Sequence, residues 1–451
     1  AWIMKTQSFT EHFEEPLYNK FNRESFSSYH NLVDAQKMLD LVNADATINE
    51  GVRNSYEGLY HFMRAFFFFE ASLKMGDIPC SEALKGETEG VFMSKYDTQE
   101  KVFGTIIREL ELATAAFDKG STFTGDVIYK GNPEKWQKLT HSFALKVLIN
   151  LSKKTTVDGI DVKAEFEKYA KKTVMEDESD NFQRVYAAKA KERYPFSRID
   201  QNYWSYPVMG EFIVDILKNL DDYRLFYYAE PASKLLEAGY SESSFDAYKG
   251  VDVTDDYSIV QGLYTNGHAS PINERYWQVE TGEPTAVISS SEVQFILAEA
   301  AARGWTTPLT AKQYYDKGVE LAMNFTFKYT PTSYQHGRVV DATYIQNYLN
   351  GNAKFNESAS MENQIKQIIT QKFIASFIQL KRNPYYDYRR TGYPEVPINP
   401  ATNLNEDPTK MPVRWMYPER ESSYNNANLT EALTRQFGCS DSPTDVMWLL
   451  K

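Results

Sequence analysis

Cysteine is nearly missing from this chain of 451 residues: Cys80 and Cys439 are too few and too far apart for a disulfide framework or a C-x-x-C zinc site, and they could pair only if the fold brought them together. No two of the 22 glycines stand two residues apart, which removes the dinucleotide-binding fingerprint. Gly120 and Gly125 have phosphate-loop spacing, but Asp126 and Val127 follow where Lys and Ser or Thr are required. The six histidines, His12, His30, His61, His141, His268 and His336, are isolated from one another, and neither H-E-x-x-H nor G-x-S-x-G occurs. A basic surplus is also lacking. Sixty-one acids against 49 bases give −12, with the cations scattered, which argues against nucleic acid and against an anionic lipid surface. The densest apolar run, Phe62 to Leu73, is broken by Arg64 and Glu70, short of the roughly 18 apolar residues that span a bilayer. The opening residues Ala1 to Phe9 lack the basic, apolar and small-residue segments of a signal peptide. Nothing here nominates a metal, a cofactor or a nucleophile, so the expectation is a protein with none of them.

What is present is helical punctuation. Leu32, Ala35, Leu39, Val42 and Ala46, then Tyr56, Leu59, Tyr60, Met63 and Phe67, fall at helical spacing, and Gly76 and Pro79 stop the second helix. Phe66 to Phe69 are consecutive, so that helix is apolar nearly all round and belongs in the core. Asp97 and Glu100 read as a capping box, and Asn132 with Pro133 opens the next helix. Ser289 and Glu292 read as another box, Thr310 opens the partner helix, and a last helix from Ile365 to Leu380 ends at Asn383 and Pro384. The pattern predicts an all-α fold with helix pairs at about 30–75, 97–152, 289–325 and 340–382, unevenly spaced, the third occupying about the span of one tetratricopeptide repeat. Residues from about 155 to 288 read as one irregular insert with a helix near Gly210 to Leu220, and loops of that length are usually functional.

Aromatic residues are the surplus: 31 tyrosines and 27 phenylalanines, 14% aromatic in all. Tyr203, Trp204 and Tyr206 cluster beside Pro207, and Tyr264, Tyr276 and Trp277 form a second cluster around Asn273. Phe92 and Tyr96, after the Gly76–Pro79 stop, are candidates of the same kind. A sugar ring offers a C–H face and a hydroxyl rim, so a flat side chain binds the face while an amide or charge binds the rim. One platform covering a few tens of Å² contributes on the order of 1 kcal/mol, and millimolar affinity corresponds to about −4 kcal/mol, so several must act together. Taken singly, each ring is better explained by packing a loop onto the helical body, and it is the clustering that favours a binding role for the group. Trp136 and Trp415 read as core or seam residues. The acid doublets Asp221–Asp222 and Asp255–Asp256 are the visible candidates for a glycosidase pair, and adjacent acids are commonly turn residues.

In order along the chain, the segments YEGLYHFMRAFFFFEASLKMGDIPCSEAL, QEKVFGTIIRELELA, NPEKWQKLTHSFALKVLINLS, SSSEVQFILAEAAARGW, IITQKFIASFIQLKRNPYYDYRRTGYPEV and PVRWMYPERESSYNNANLTEAL occur. This series resembles the SusD/RagB outer-membrane nutrient-binding lipoproteins of Bacteroidetes, in their SusD-like branch, over nearly the whole chain. Where the family's RRTGYP usually follows a Trp, this chain has Tyr385 or Tyr386. The resemblance implies a single SusD-like domain over 1–451: four tetratricopeptide-like helix pairs carrying an irregular ligand-binding face. It implies a lipid anchor at an N-terminal cysteine that is not in this sequence, placement on the outward face of the outer membrane, and a TonB-dependent SusC-type transporter as partner. Oligosaccharide capture without chemistry is the implied function, with peptide capture by the same lid mechanism as the alternative. A helical glycosidase and a protein-interaction scaffold are the readings from other classes. The matching motifs are scaffold motifs, so Arg389, Arg390, Arg414 and Glu421 are expected to make buried ion pairs and hydrogen bonds and not to bind ligand.

Overall fold

The structure is a computed structural model, and it describes residues 2–199 and 207–451. Helices dominate; among the described residues the sheets are three two-stranded antiparallel pairs. The chain divides into two compact units, one of residues 21–175, 305–308 and 411–451, the other of residues 1–20, 176–304 and 309–410.

In the first unit α1 (Ser28–Ala44), α2 (Glu50–Met75), α3 (Gln99–Phe117), α4 (Pro133–Asn150) and α5 (Val162–Ala170) each pack on the next. The two expected hairpins are therefore α1–α2 and α3–α4. As the consecutive phenylalanines predict, α2 is central: Phe62, Phe66, Phe68 and Phe69 are all buried. Phe143 of α4 meets Phe69 edge to face at 5.3 Å and 90°, a geometry that adds to the roughly 1.5–3 kcal/mol each buried ring contributes by area. The backbone of α2 approaches α3 so closely at Gly58 that a Cβ there would lie 2.8 Å from the Phe117 ring. One cap differs from expectation. Thr98, not Asp97, caps α3, because the Asp97 carboxylate is taken by the Ser81 N–H at 2.6 Å and the Ser81 hydroxyl at 2.9 Å. Asn132 caps α4 as the sequence predicts, accepting from Glu134 N–H at 2.9 Å.

The second unit holds α6 (Glu211–Asn219), α7 (Arg224–Tyr228), α8 (Ser290–Ala302), α9 (Ala311–Lys328), α10 (Ala342–Asn350), α11 (Met361–Ala375) and α12 (Asn383–Thr391). The third expected hairpin is α8–α9, with Ser289 accepting from Glu292 N–H and a reciprocal box between Thr310 and Gln313. The fourth differs: α10 packs on α9, while α11 packs mainly on α8. The ten-residue link between α10 and α11 frees α11 to seek the larger apolar face. Pro384, expected as a stop, lies in the first turn of α12, where its missing N–H costs nothing. The segment 155–288 is also more regular than expected. Besides the predicted helix at 211–219 it contains α5, α7 and short helices at Ser233–Glu237, Tyr257–Thr265 and Arg275–Gln278.

Candidate functional site

Tyr203, Trp204 and Tyr206 lie outside the described residues. The second aromatic cluster is divided by the fold. Tyr276, Trp277 and Asn273 are buried, which corrects the expectation that they form an exposed platform. The cause is Arg275, whose guanidinium is held inside by Glu283 at 2.8 Å, the Tyr227 carbonyl at 3.0 Å and the Tyr276 hydroxyl at 2.6 Å. A buried cation must be fully paired, and satisfying it draws the neighbouring rings inward. Tyr276 lies 4.0 Å from that guanidinium by its centroid, and Trp277 is covered by Arg198 at 5.2 Å. Asn273 spends its Nδ2 donors on the Phe226 and Tyr334 carbonyls, at 3.2 and 2.9 Å.

Tyr264 has the opposite fate. It sits near the end of Tyr257–Thr265, a helix capped by Asp256, and packs against the apolar cluster Val208, Val251, Val253, Val260 and Ala269 while staying half-exposed. It lines an open cleft of about 710 Å³ together with Ser233, Lys234, Glu237, Asn266 and Pro271. The cleft's two sides are joined where Lys234 N–H donates to the Gly267 carbonyl at 3.0 Å. Gly267 is required there: its φ is +72°, and a Cβ would fall 2.1 Å from Ser233 Oγ. Lys234 and Glu237 pair at 2.6 Å on the rim. One ring beside hydroxyl, amide and charged groups is a suitable surface for a ring-faced polyol.

Phe92 belongs to the first unit and is 84% exposed, with Met93 beside it at 65%, whereas Tyr96 is buried with its hydroxyl on Glu421, which corrects the expectation that it is a platform. The loop that carries them is held from several sides. Lys95 N–H donates to Glu82 Oε2 at 2.8 Å, Asn425 Nδ2 to the Ser94 carbonyl at 2.9 Å, and Asn428 Nδ2 to the Met93 carbonyl at 3.0 Å. An apolar side chain on a pinned loop loses little backbone entropy on binding, which is what a binding platform needs.

Against protein families, residues 2–418 match the SusD-like model described as "Starch-binding associating with outer membrane". The chain belongs to the SusD-like family. A SusD homologue from Bacteroides fragilis is 39% identical, with a TM-score of 0.94 over 100% of this chain and 94% of that one. A second SusD homologue from the same species is 33% identical, with a TM-score of 0.88 over 100% and 94%. A chitin-binding SusD homologue from Flavobacterium johnsoniae, 20% identical, shares the fold at a TM-score of 0.74 over 100% and 92%. Among curated proteins no match is found.

In this SusD-like protein the motif residues serve the frame. Arg390 is buried against Glu299 and Asp387, Arg414 donates to Asp441 at 2.8 Å, and Glu421 accepts from the Tyr96 hydroxyl at 2.8 Å. Arg389 stacks on Tyr386 at 4.6 Å and on Tyr385 at 5.0 Å. Trp136 and Trp415 are core residues, as expected. Asp222 is no free acid: it is fully buried and holds Arg224 with both oxygens. Sequence reasoning missed a second cleft of the SusD-like chain, of about 560 Å³, lined by Trp2, Phe13, Tyr186, Tyr194 and Phe196. Its residues come from widely separated segments, and no spacing rule would have joined them.

Proposed function

We propose that this protein captures oligosaccharides at the outward face of the outer membrane and hands them, chemically unchanged, to a TonB-dependent SusC-type transporter. The reading rests on one juxtaposition: a half-exposed tyrosine ring set among hydroxyl, amide and charged groups in an open cleft, in a chain whose family is described as starch-binding. Tyr264 stacks on the C–H face of a sugar, and Asn266, Ser233 and the Lys234–Glu237 pair take its hydroxyls. Phe92 supplies a further apolar platform. Anchorage is by lipid at an N-terminal cysteine outside this sequence, as the family resemblance implies. That the chitin-binding relative shares the fold is in keeping with a glycan as ligand.

The test is calorimetric titration of soluble starch and chitin oligosaccharides, with mass spectrometry of each mixture after prolonged incubation. Binding with intact ligand, weakened by Tyr264→Ala, supports the proposal. Cleaved products would replace it with the glycosidase reading, and binding of peptides in preference to glycans would replace the ligand class. Recovery of a large β-barrel partner from native membranes tests the transporter.

A further inference from the structure

One wall of the Tyr264 cleft is the segment from Glu230 to Glu242, which contributes Pro231, Ser233, Lys234 and Glu237 to the lining. Its short helix, Ser233–Glu237, buries none of its side chains, so the apolar core does little to hold it. Backbone hydrogen bonds hold it in part, from Ala232 N–H to the Ala247 carbonyl at 2.8 Å and from Lys234 N–H to Gly267. The rest is done by the two carboxylates that bracket the segment, and both face one imidazole. His336 Nε2 lies 3.2 Å from Glu230 Oε2, and His336 Nδ1 lies 3.6 Å from Glu242 Oε2.

The imidazole is well fixed. Its side chain is 7% exposed, and it stands on a turn in which His336 and Gly337 have φ of +47° and +73°. From the same turn Arg338 Nε donates to the Ser243 carbonyl at 2.7 Å. Tyr248 packs edge-on with its ring 6.2 Å from the imidazole, and its hydroxyl donates to the Glu242 carbonyl at 2.8 Å. Asn273 Nδ2 is 3.4 Å from His336 Nε2, but its two hydrogens go to the Phe226 and Tyr334 carbonyls, which leaves none for the ring. Nε2 therefore carries a hydrogen toward Glu230, and Nδ1 needs one to bind Glu242. A neutral imidazole has one N–H and serves one carboxylate, whereas the imidazolium serves both.

Among the described residues the charged groups about the ring are Glu230, Glu242 and Arg338, with Glu274 beside Glu230, to which its N–H donates at 2.7 Å. Burial alone would lower the imidazole pKa, but Glu230 and Glu242 outweigh it and hold the pKa above 6.5. We propose that His336 is a proton-operated latch on the Tyr264 cleft. As the imidazolium it ties Glu230 to Glu242 across the segment they bracket; on losing its proton it releases Glu242 and loosens the wall that carries Ser233, Lys234 and Glu237. This rests on glycan capture at that cleft and adds its regulation. With the folded pKa raised, the tie is complete below pH 6.5 and is lost as pH rises through the folded value, so ligand is held at mildly acidic pH and let go in alkali.

The test compares about pH 6 with about pH 9, a range that spans the imidazole titration. Without ligand, amide hydrogen exchange corrected for the intrinsic rate should show protection of residues 233–239 falling on the order of threefold, the scale of one partly exposed ion pair. Titration with maltoheptaose and chitohexaose should show a similar loss of affinity for whichever binds. Lys5 also titrates near pH 7, so each readout is taken as the difference between wild type and variant. His336→Gln lacks the fall. Glu242→Gln, at a carboxylate 60% exposed, keeps the fold and shows a smaller fall, because an amide can accept from the ring or donate to it. Protection that ignores pH in the wild type, a fall undiminished in both variants, or a fall in protection with no change in the affinity of a bound oligosaccharide would overturn the proposal. Failure of both oligosaccharides to bind at either pH refutes capture at this cleft and leaves the exchange readout to decide the latch by itself.

Discussion

Arg390→Met examines whether the family's signature arginine is structural. In the wild type its Nη2 donates to Glu299 at 2.7 Å and to Asp387 at 3.1 Å, its Nη1 also binds Glu299, and all three residues are buried. Burial by itself would raise the Glu299 pKa, yet the Arg390 guanidinium, helped by Arg303 and Lys372, brings it down from 4.5 to about 2. At about 1.4 kcal/mol per unit, that depression is on the order of 3 kcal/mol of net stabilisation of the carboxylate. The figure agrees with the roughly 3–5 kcal/mol lost when one partner of a buried pair is removed. Arg303, 2.8 Å from Glu299, remains in the variant and places the expected loss at about 3 kcal/mol, the lower end of that range. Because the folded pKa lies below the unfolded one, the contribution is complete above pH 4.5 and disappears as pH falls toward 2. Urea unfolding followed by circular dichroism should therefore show the variant less stable at pH 7, with the gap to wild type closing between pH 4.5 and 2. A gap below about 1 kcal/mol at pH 7, or one that ignores pH, would refute the assignment. Glycan affinity of the folded variant should equal that of wild type.

Lys5 shifts stability in the same direction for a different reason: burial lowers its pKa from 10.5 to about 7, so the folded state gains stability as pH rises from 7 toward 10.5. That gain should be absent from Lys5→Met, and a wild-type-minus-variant difference that stays constant over the range would exclude it. Phe92→Ala, at an exposed tip, should leave the melting temperature unchanged while weakening glycan binding by on the order of fivefold, about 1 kcal/mol; unchanged affinity would show that Phe92 is not a glycan platform. Gly267→Ala, strained at φ +72° and crowded by Ser233, should cost about 1–2 kcal/mol in urea unfolding and weaken binding at the Tyr264 cleft.

Local signals carried most of the helical frame. The run Phe66 to Phe69, the Asn132–Pro133 start and the Thr310 start all describe interactions within one helix or one turn, and each appears in the structure as the sequence implies. The misplaced cap at Asp97 shows where that ends: its carboxylate is claimed by Ser81, sixteen residues away, and a reading confined to neighbours has no access to that competitor. Pro384 makes the same point, since a proline can stop one helix or open the next, and tertiary packing decides between the two.

The site was legible only in part, for a related reason. Composition alone establishes an aromatic surplus and the lack of phosphate-loop, zinc and hydrolase signatures, because those are properties of residue type and spacing. Which rings face solvent is decided by what else must be buried. Arg275 needed Glu283 and Tyr227, and in reaching them carried Tyr276 and Trp277 inside, while Tyr264 stayed at a surface. The cleft of Trp2, Tyr186 and Ile378 is assembled by long-range hydrogen bonds, from Lys5 to Pro16 and from Gln379 to Ala286 and Glu283. Helix periodicity is a short-range property and is written along the chain, whereas concavity arises only when distant segments satisfy one another's buried polar groups.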